Sequence, residues 1–399
     1  MSELRFRGNR RPTLGVEIEL QIVDARTMEL KSGIGAILAD LPTSLCESVK
    51  PEFLQCYVEI NTGVCRTVDD LEADLAPKVR AVERIADRHG LRLAWAATHP
   101  FSGWREQEIT PDDRYYKLAE LLRETVVRPV TFGLHVHVGV ESGDRAIQIS
   151  HRLQRELPIL LAISANSPFW HGRDTGHQSH RIEVLEGIPT GGLMPPLHSW
   201  SEYLELLDRM QIAGFVESHR EFWWDVRPSA ENGTIEVRIC DMPTDLPDVL
   251  GLSAMIQCLV QWHTDRLDHE DHETDNPHPM MLRSNRWRAA RFGLEARLVG
   301  LDTMEPTPAR HAAEAMIRRL EPVADRLGCR RSLAQALQMT VRPTGADRQL
   351  ELYRETGDLV EVVRRMSGRS RLSAEPDVRG AGFAGSRPYS AVSSPSIRW

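Results

Sequence analysis

The segment Thr13-Leu14-Gly15-Val16-Glu17-Ile18-Glu19-Leu20-Gln21-Ile22-Val23 alternates apolar and polar residues almost without a break. Successive side chains of an extended chain point to opposite faces. Leu14, Val16, Ile18, Leu20 and Ile22 therefore share one side, and Gly15, Glu17, Glu19 and Gln21 the other. The pattern predicts a long strand with one apolar and one wet face. Three further segments repeat it. Leu54 to Thr62 sets Leu54, Cys56, Val58 and Ile60 against Gln55, Tyr57, Glu59 and Asn61. Phe132 to Val140 sets Leu134, Val136, Val138 and Val140 against Gly133, His135, His137 and Gly139. Asn232 to Cys240 sets Gly233, Ile235, Val237 and Ile239 against Asn232, Thr234, Glu236 and Arg238. A fifth, less regular strand is expected over Leu91 to Thr98, ending at His99-Pro100.

Helical spacing fills the intervals: Val68 to His89 with Gly90 as its stop, Arg145 to Ala165, Ser201 to Ala213 and Leu246 to Leu267. From Asn285 onward the pattern is helical throughout, including Arg310 to Leu327 and Asp347 to Met366. Long helical insertions between strands predict an α+β fold, with a mixed or antiparallel sheet and helices on one face, rather than regular βαβ winding. Residues 1–367 read as a single domain. Residues 368–399, rich in Ser, Gly, Pro and Arg without periodicity, read as a disordered tail.

Composition narrows the function. The formal net charge is -8, from 49 Lys+Arg against 57 Asp+Glu, which argues against a nucleic-acid partner. The longest apolar run, Leu157 to Ala165, contains Pro158 and is too short to span a membrane. Met1 to Arg11 is polar and basic, so a cytoplasmic location is expected. Six cysteines occur without a CxxC pair and read as reduced thiols. Lys31, Lys50, Lys78 and Lys117 are the four lysines, and none sits in a GxxxxGK[ST] loop. GxGxxG after a strand and GxSxG are also absent from the sequence. A nucleotide would have to be held by metals and arginine.

The wet faces carry Glu17 and Glu19, then Glu59, then His135 and His137, then Glu236 and Arg238. A merely solvated sheet face would carry Lys, Thr, Ser and Glu in loose mixture. Glutamates and a histidine on one floor suit a hard cation, Mg²⁺ or Mn²⁺. Arg238 would repel a cation but suits a phosphate. Together they point to metal-bridged ATP and phosphoryl transfer.

With these residues in order, the chain resembles a known family. Gly15–Leu20, Val58–Cys65, Thr98–Phe101, Gly133–Gly139, Ser164–Trp170, Gly172–Gly176 and Thr234–Arg238 are similar to the glutamate-cysteine ligase type 2 family, in its carboxylate-amine ligase (YbdK-like) branch, from about residue 13 to 365. The resemblance implies a glutamine-synthetase-like antiparallel sheet that forms a funnel-shaped active site, with helices packed on its other face. It implies Glu17, Glu19, Glu59, His135 and Glu236 as magnesium ligands, with Glu52 as a further acidic ligand. Arg238 becomes the phosphate-contacting arginine and, with Glu236, the catalytic pair. Arg173 and Arg181, in a polar loop, become substrate-binding candidates, with loop anchoring the equal alternative. Ile18 departs from the branch, which more often has a third consecutive acid there; its parity places it on the apolar face.

The implied reaction is ATP-dependent. A carboxylate, by default the γ-carboxylate of glutamate, forms an acyl phosphate, and an amine, cysteine in the best-known case, displaces phosphate to give an amide. Two rivals stand beside it. His135-Val136-His137 also suits a metal-dependent amidohydrolase, although such barrels carry HxH on the first strand and lysine or histidine on later ones. A catalytically silent nucleotide-binding regulator is the other, and the intact acids and Arg238 speak against it. The oligomeric state is open, a homodimer included. Among weaker candidates, His99 reads as a turn residue, His137 as ligand or hydrogen-bonded support, Trp223 and Trp224 as core and wall, and the histidine-bearing run Asp265 to Pro279 as a solvated loop.

Overall fold

Seven strands form the main sheet of the computed structural model, which describes residues 4–123, 125, 128–269 and 278–372. They are β1 (Leu14–Asp24), β2 (Val49–Lys50), β3 (Tyr57–Asn61), β4 (Leu91–Ala94), β5 (Leu134–Gly139), β6 (Val226–Ser229) and β7 (Thr234–Val237). Their order is β6-β7-β5-β1-β3-β2, with β4 also on β1, and every pairing is antiparallel. The register brings the wet faces together: Glu19 opposite Glu59, Glu17 opposite His135, and His137 opposite Glu236.

On the other face Val16, Ile18, Leu20, Val58, Ile60, Leu134, Val136, Val138, Ile235 and Val237 are buried, each stabilising the fold by about 1.5–3 kcal/mol. The helices Val68–Arg88, Gly143–Leu153 and Leu246–Asp268 pack against this sheet. Leu246–Asp268 is buried along nearly its whole length, because the C-terminal helices Ala309–Leu327 and Arg330–Val341 cover its far side. Thr67 and Asp70 form a capping box at the start of Val68–Arg88, and Gly90, at φ 65, ends it in the left-handed region.

The antiparallel sheet with helices behind it is as expected, but several boundaries differ. The helical run Arg145 to Ala165 is two helices, Gly143–Leu153 and Leu157–Ser164. Pro158 lacks the N–H that would continue the first and sits in the first turn of the second. Asp347 to Met366 is likewise split into Gly345–Thr356 and Leu359–Arg369 at Gly357, φ 66. A ribbon, Arg297–Val299 with Pro306–Pro308, interrupts the C-terminal helices. The segment after 367 continues as helix to Arg369, Arg371 pairs with Asp87, and the Leu372 N–H donates to Glu83. Residues 373–399 of the expected tail, and 270–277 of the histidine-bearing run, lie outside the described residues.

One quoted motif is scaffold. The buried Asp241 accepts hydrogen bonds from the Asn166 N–H at 2.9 Å, Ser167 Oγ at 2.7 Å and Ser179 Oγ at 2.8 Å. Asn166 Nδ2 donates to the carbonyls of Trp95 and Met242. The Ser164–Trp170 stretch thus ties the ends of three segments below the sheet.

His99 is a turn residue, as expected. Its Nε2 donates to the Met28 carbonyl at 2.9 Å and its Nδ1 accepts the Ser102 N–H at 2.9 Å. That pattern needs the neutral ring. Burial pushes its pKa from 6.5 down to about 4. The unfolded chain therefore binds this proton first, and stability held above pH 6.5 is lost as pH falls toward 4. The melting temperature should fall below pH 6.5 and the slope should be shallower in His99→Asn, measured by calorimetry across that window; equal slopes would remove His99 as a contributor.

Candidate active site

The floor of the funnel is the wet face of β7, β5, β1 and β3. Glu17, His135 and Glu236 bring ligand atoms that all lie within 4.8 Å of one another. His135 Nδ1 is 3.4 Å from Glu17 Oε2 and 3.4 Å from Arg238 Nη1, and its buried Nε2 has no hydrogen-bond partner among the described residues. Burial and the charge of Arg238 push its pKa down to about 4. The ring is thus neutral at physiological pH, with a nitrogen lone pair to offer.

His137 differs. Burial disfavours its charged form, but Glu236 and Glu17 outweigh this and raise its pKa. Its Nδ1 meets Thr234 Oγ1 at 2.9 Å and its Nε2 lies 3.5 Å from Glu17 Oε1. His137 held this way positions Glu17, and both acids favour its charged form. Burial pushes the Glu17 carboxyl up, yet His135 and His137 hold it well below the usual carboxylate range.

Glu236 is gripped by two arginines. Arg227 Nε and Nη2 donate to its two oxygens at 2.7 and 3.2 Å, and Arg238 Nη1 donates to Oε1. Burial opposes ionisation, but Arg227 and Arg238 keep Glu236 ionised well below its ordinary pKa. Sequence reasoning missed Arg227, because Val226–Ser229 is short and carries Pro228 on the edge of the sheet. The available signal was hairpin pairing, which sets Arg227 opposite Glu236.

Glu19, Glu52 and Glu59 make a second acidic group. The Gly133 N–H donates to Glu19 at 2.6 Å, and Asn61 Nδ2 to Glu59 at 2.8 Å. Burial raises Glu19 although Arg181 and Arg238 oppose it. Burial also raises Glu52, reinforced by Glu19, and raises Glu59 well above its ordinary value, reinforced by Glu52 and Glu17. Like charges this close stay ionised together only with a cation among them. The unpartnered His135 nitrogen and the crowded carboxylate oxygens therefore fit hard divalent cations.

Two connected lobes open over this floor. The outer one, about 1120 Å³ including its mouth, is polar and lined by Glu17, Glu236, Arg227, Arg220, His219 and Lys50 among others. The inner one, about 940 Å³, is lined by Glu19, Arg181 and Arg238 and by apolar residues that include Leu185, Ile188 and Trp224. Glu19, Glu52, Arg114, Tyr115, His135, Trp223 and Arg238 line both, so the lobes meet at the acids. Trp223 and Trp224 form wall, as expected. Arg181, in the helix His180–Leu185, is buried and donates to the carbonyls of Arg238 and Ile239 at 3.0 and 3.3 Å. Arg173 is not brought to the funnel. It stands exposed on a two-residue ribbon opposite Trp170 and lines neither lobe.

Known proteins resemble this chain in sequence and in fold. Residues 13–365 match the family model described as glutamate-cysteine ligase family 2. Relatives from Rubrobacter xylanophilus and Gloeobacter violaceus, named "Putative glutamate--cysteine ligase 2-1" and the same without the final number, are 40% and 39% identical. The alignments cover 92% and 90% of this chain and 98% and 96% of theirs. Among solved structures, the glutamate-cysteine ligase of Francisella tularensis, in complex with AMP, has a similar fold at TM-score 0.68 and 12% identity, over 93% of this chain and 91% of that one. A bifunctional glutathione synthetase from Pasteurella multocida aligns at TM-score 0.65 and 12% identity, over 90% of this chain and 52% of that one. At 12% identity these two speak for the fold alone. Among the described residues no helix is long and apolar enough to cross a membrane.

Proposed function

This chain belongs to the glutamate-cysteine ligase family 2, and from that premise we propose how its funnel performs the ATP-dependent joining of a carboxylate to an amine. The observation that carries the residue-level reading is the convergence of Glu17, His135 and Glu236 within 4.8 Å, with Arg227 and Arg238 alongside. Glu17, His135 and Glu236, with Glu19, Glu52 and Glu59, would hold Mg²⁺ or Mn²⁺. When bound, the cations supply charge neutralisation for the phosphate oxygens.

A carboxylate oxygen of the acid, glutamate by default, attacks the γ-phosphorus of ATP. The bond to the bridging oxygen breaks, ADP leaves, and an acyl phosphate remains. The neutral amine nitrogen then attacks the acyl carbon, the carbon-to-phosphate oxygen bond breaks, and inorganic phosphate departs as the nitrogen loses its proton. Arg238 meets charge as it shifts toward the bridging oxygen. Arg227 keeps Glu236 aimed when Arg238 turns to phosphate. Arg181 is the buried cation nearest the acid, and its hold on the carbonyls of Arg238 and Ile239 fixes it there. No comparable role follows for Arg173.

The test is an acyl-phosphate trap. With ATP, Mg²⁺, L-glutamate and hydroxylamine, the protein should release ADP and form a hydroxamate in equal amounts, each absent without the acid. Amide hydrolysis without ATP would favour the amidohydrolase reading. ATP binding with no turnover across a panel of acids would favour the regulator.

A further inference from the structure

Arg114 and Tyr115 line both lobes, whereas Tyr57, Arg181 and Asp225, which line the inner lobe alone, are held by the protein itself. Tyr57 OH accepts the Thr131 N–H at 2.6 Å and lies 2.9 and 3.0 Å from the carbonyls of Pro129 and Thr131. Asp225 receives Arg286 Nε at 2.6 Å and Nη2 at 3.2 Å. Arg181 and Arg238 stand at the throat, where the acid and the phosphoryl group need them. The rest of the lining that the outer lobe does not share is apolar, with Leu118, Leu185, Ile188 and Trp224 in it, and Trp223 stands beside it on both lobes.

This wall is braced from behind. Gly191 and Gly192 pair in parallel with Trp223 and Trp224, and Trp224 stacks on Phe222 with ring centroids 4.7 Å apart. Arg286 joins Asp225 to Glu186, the residue after Leu185, at 2.6 Å to each. A rigid apolar wall rewards an apolar occupant, and buried polar groups without partners are penalised there.

Which substrate meets the wall follows from the chemistry of transfer. Lys50, Arg114 and His219 line the outer lobe together with the acids that would hold the cations, which suits a metal-bridged polyphosphate chain. In-line displacement puts the attacking carboxylate on the side of the γ-phosphorus opposite to ADP. With ADP toward the outer lobe, the acid comes from the inner one, and the amine reaches the acyl carbon from there as well. Resting on the ligase reading above, we propose that the amine substrate carries a large apolar group, aromatic or branched aliphatic, that packs against Ile188 and Trp223, and that cysteine is a poor substitute for it.

The experiment uses the full chain with ATP, Mg²⁺ and L-glutamate. The hydroxylamine trap comes first: if it yields no hydroxamate with any acid, the ligase reading has failed before the amine is in question. With the trap positive, phenethylamine, isoamylamine, L-phenylalanine, ethanolamine and L-cysteine are compared by amine-dependent phosphate release. Phenethylamine, isoamylamine or L-phenylalanine should exceed cysteine and ethanolamine by about tenfold or more in kcat/KM, the scale on which apolar pockets discriminate. Cysteine or ethanolamine as the best amine overturns the proposal. Trp223→Ala should lower the ratio of kcat/KM for the best apolar amine over cysteine by about tenfold, and Trp223→Phe should restore most of it. A rise in KM for ATP in Trp223→Ala with that ratio unchanged would assign the wall to adenine and also overturn the proposal.

Discussion

Glu17→Gln is expected to reduce acid-dependent ADP release by about 10³-fold or more while leaving the fold intact, since bound cations contribute several kcal/mol of charge stabilisation and each 1.4 kcal/mol is a factor of ten. Glu17 is the acid shared by both histidines, with His135 at 3.4 Å and His137 at 3.5 Å. The amide cannot carry the negative charge that these neighbours enforce, and His137 loses one of the two acids that raise its pKa. The fold should persist because Glu17 lies on the wet face and the register of β1 is set by its backbone and by buried Val16 and Ile18. Thermal stabilisation by MgATP should vanish along with turnover, which separates lost ligand binding from unfolding. Wild-type turnover at limiting Mg²⁺ would show that Glu17 is not part of the cation site.

Arg238→Lys should lower kcat by about 10²-fold or more, with a smaller loss in ATP affinity, as for other preorganised donors aimed at developing charge. Lysine keeps the charge but loses the planar fork. If Arg238 served only to pair with Glu236, the variant would lose stability instead of rate. Arg227 already satisfies both oxygens of Glu236, so little stability is at stake in that pair. Unchanged kcat, whatever the melting temperature, would therefore be a clear result against a catalytic role.

The floor of the site was legible because strand periodicity is exact: once Glu17, Glu59, His135 and Glu236 are read as wet-face residues, only the pairing of the strands remains to be found. Long apolar helices such as Leu246–Asp268 were legible for the same reason of period. The breaks near Pro158 and Gly357 were less so, since helical spacing carries on across a single turn. Arg227 escaped because a four-residue edge strand with a proline offers no period to detect. Arg173 and Arg181 looked alike in sequence. Only the helix that begins at His180 turns Arg181 inward, while the ribbon that pairs Arg173 with Trp170 leaves it in solvent. The wall at Ile188 and Trp223 is built by two loops meeting through a parallel bridge, a long-range contact that no local pattern announces.

The double grip on Glu236 has a consequence for loading. Guanidinium groups hold the oxygens through which Glu236 would meet a cation, so Mg²⁺ without nucleotide should compete with an internal ion pair and bind weakly. A polyphosphate would offer Arg238 a better anion and draw it from Oε1, the oxygen that Arg227 holds only at 3.2 Å, which would free that oxygen for a cation. Each ligand thus removes the obstacle to the other, and reciprocity requires the same coupling free energy in both directions. Calorimetric titrations should find Mg²⁺ affinity raised by nucleotide and nucleotide affinity raised by Mg²⁺ by one common factor beyond that of MgATP formation in water. The ion pair would then favour the complex over either component alone.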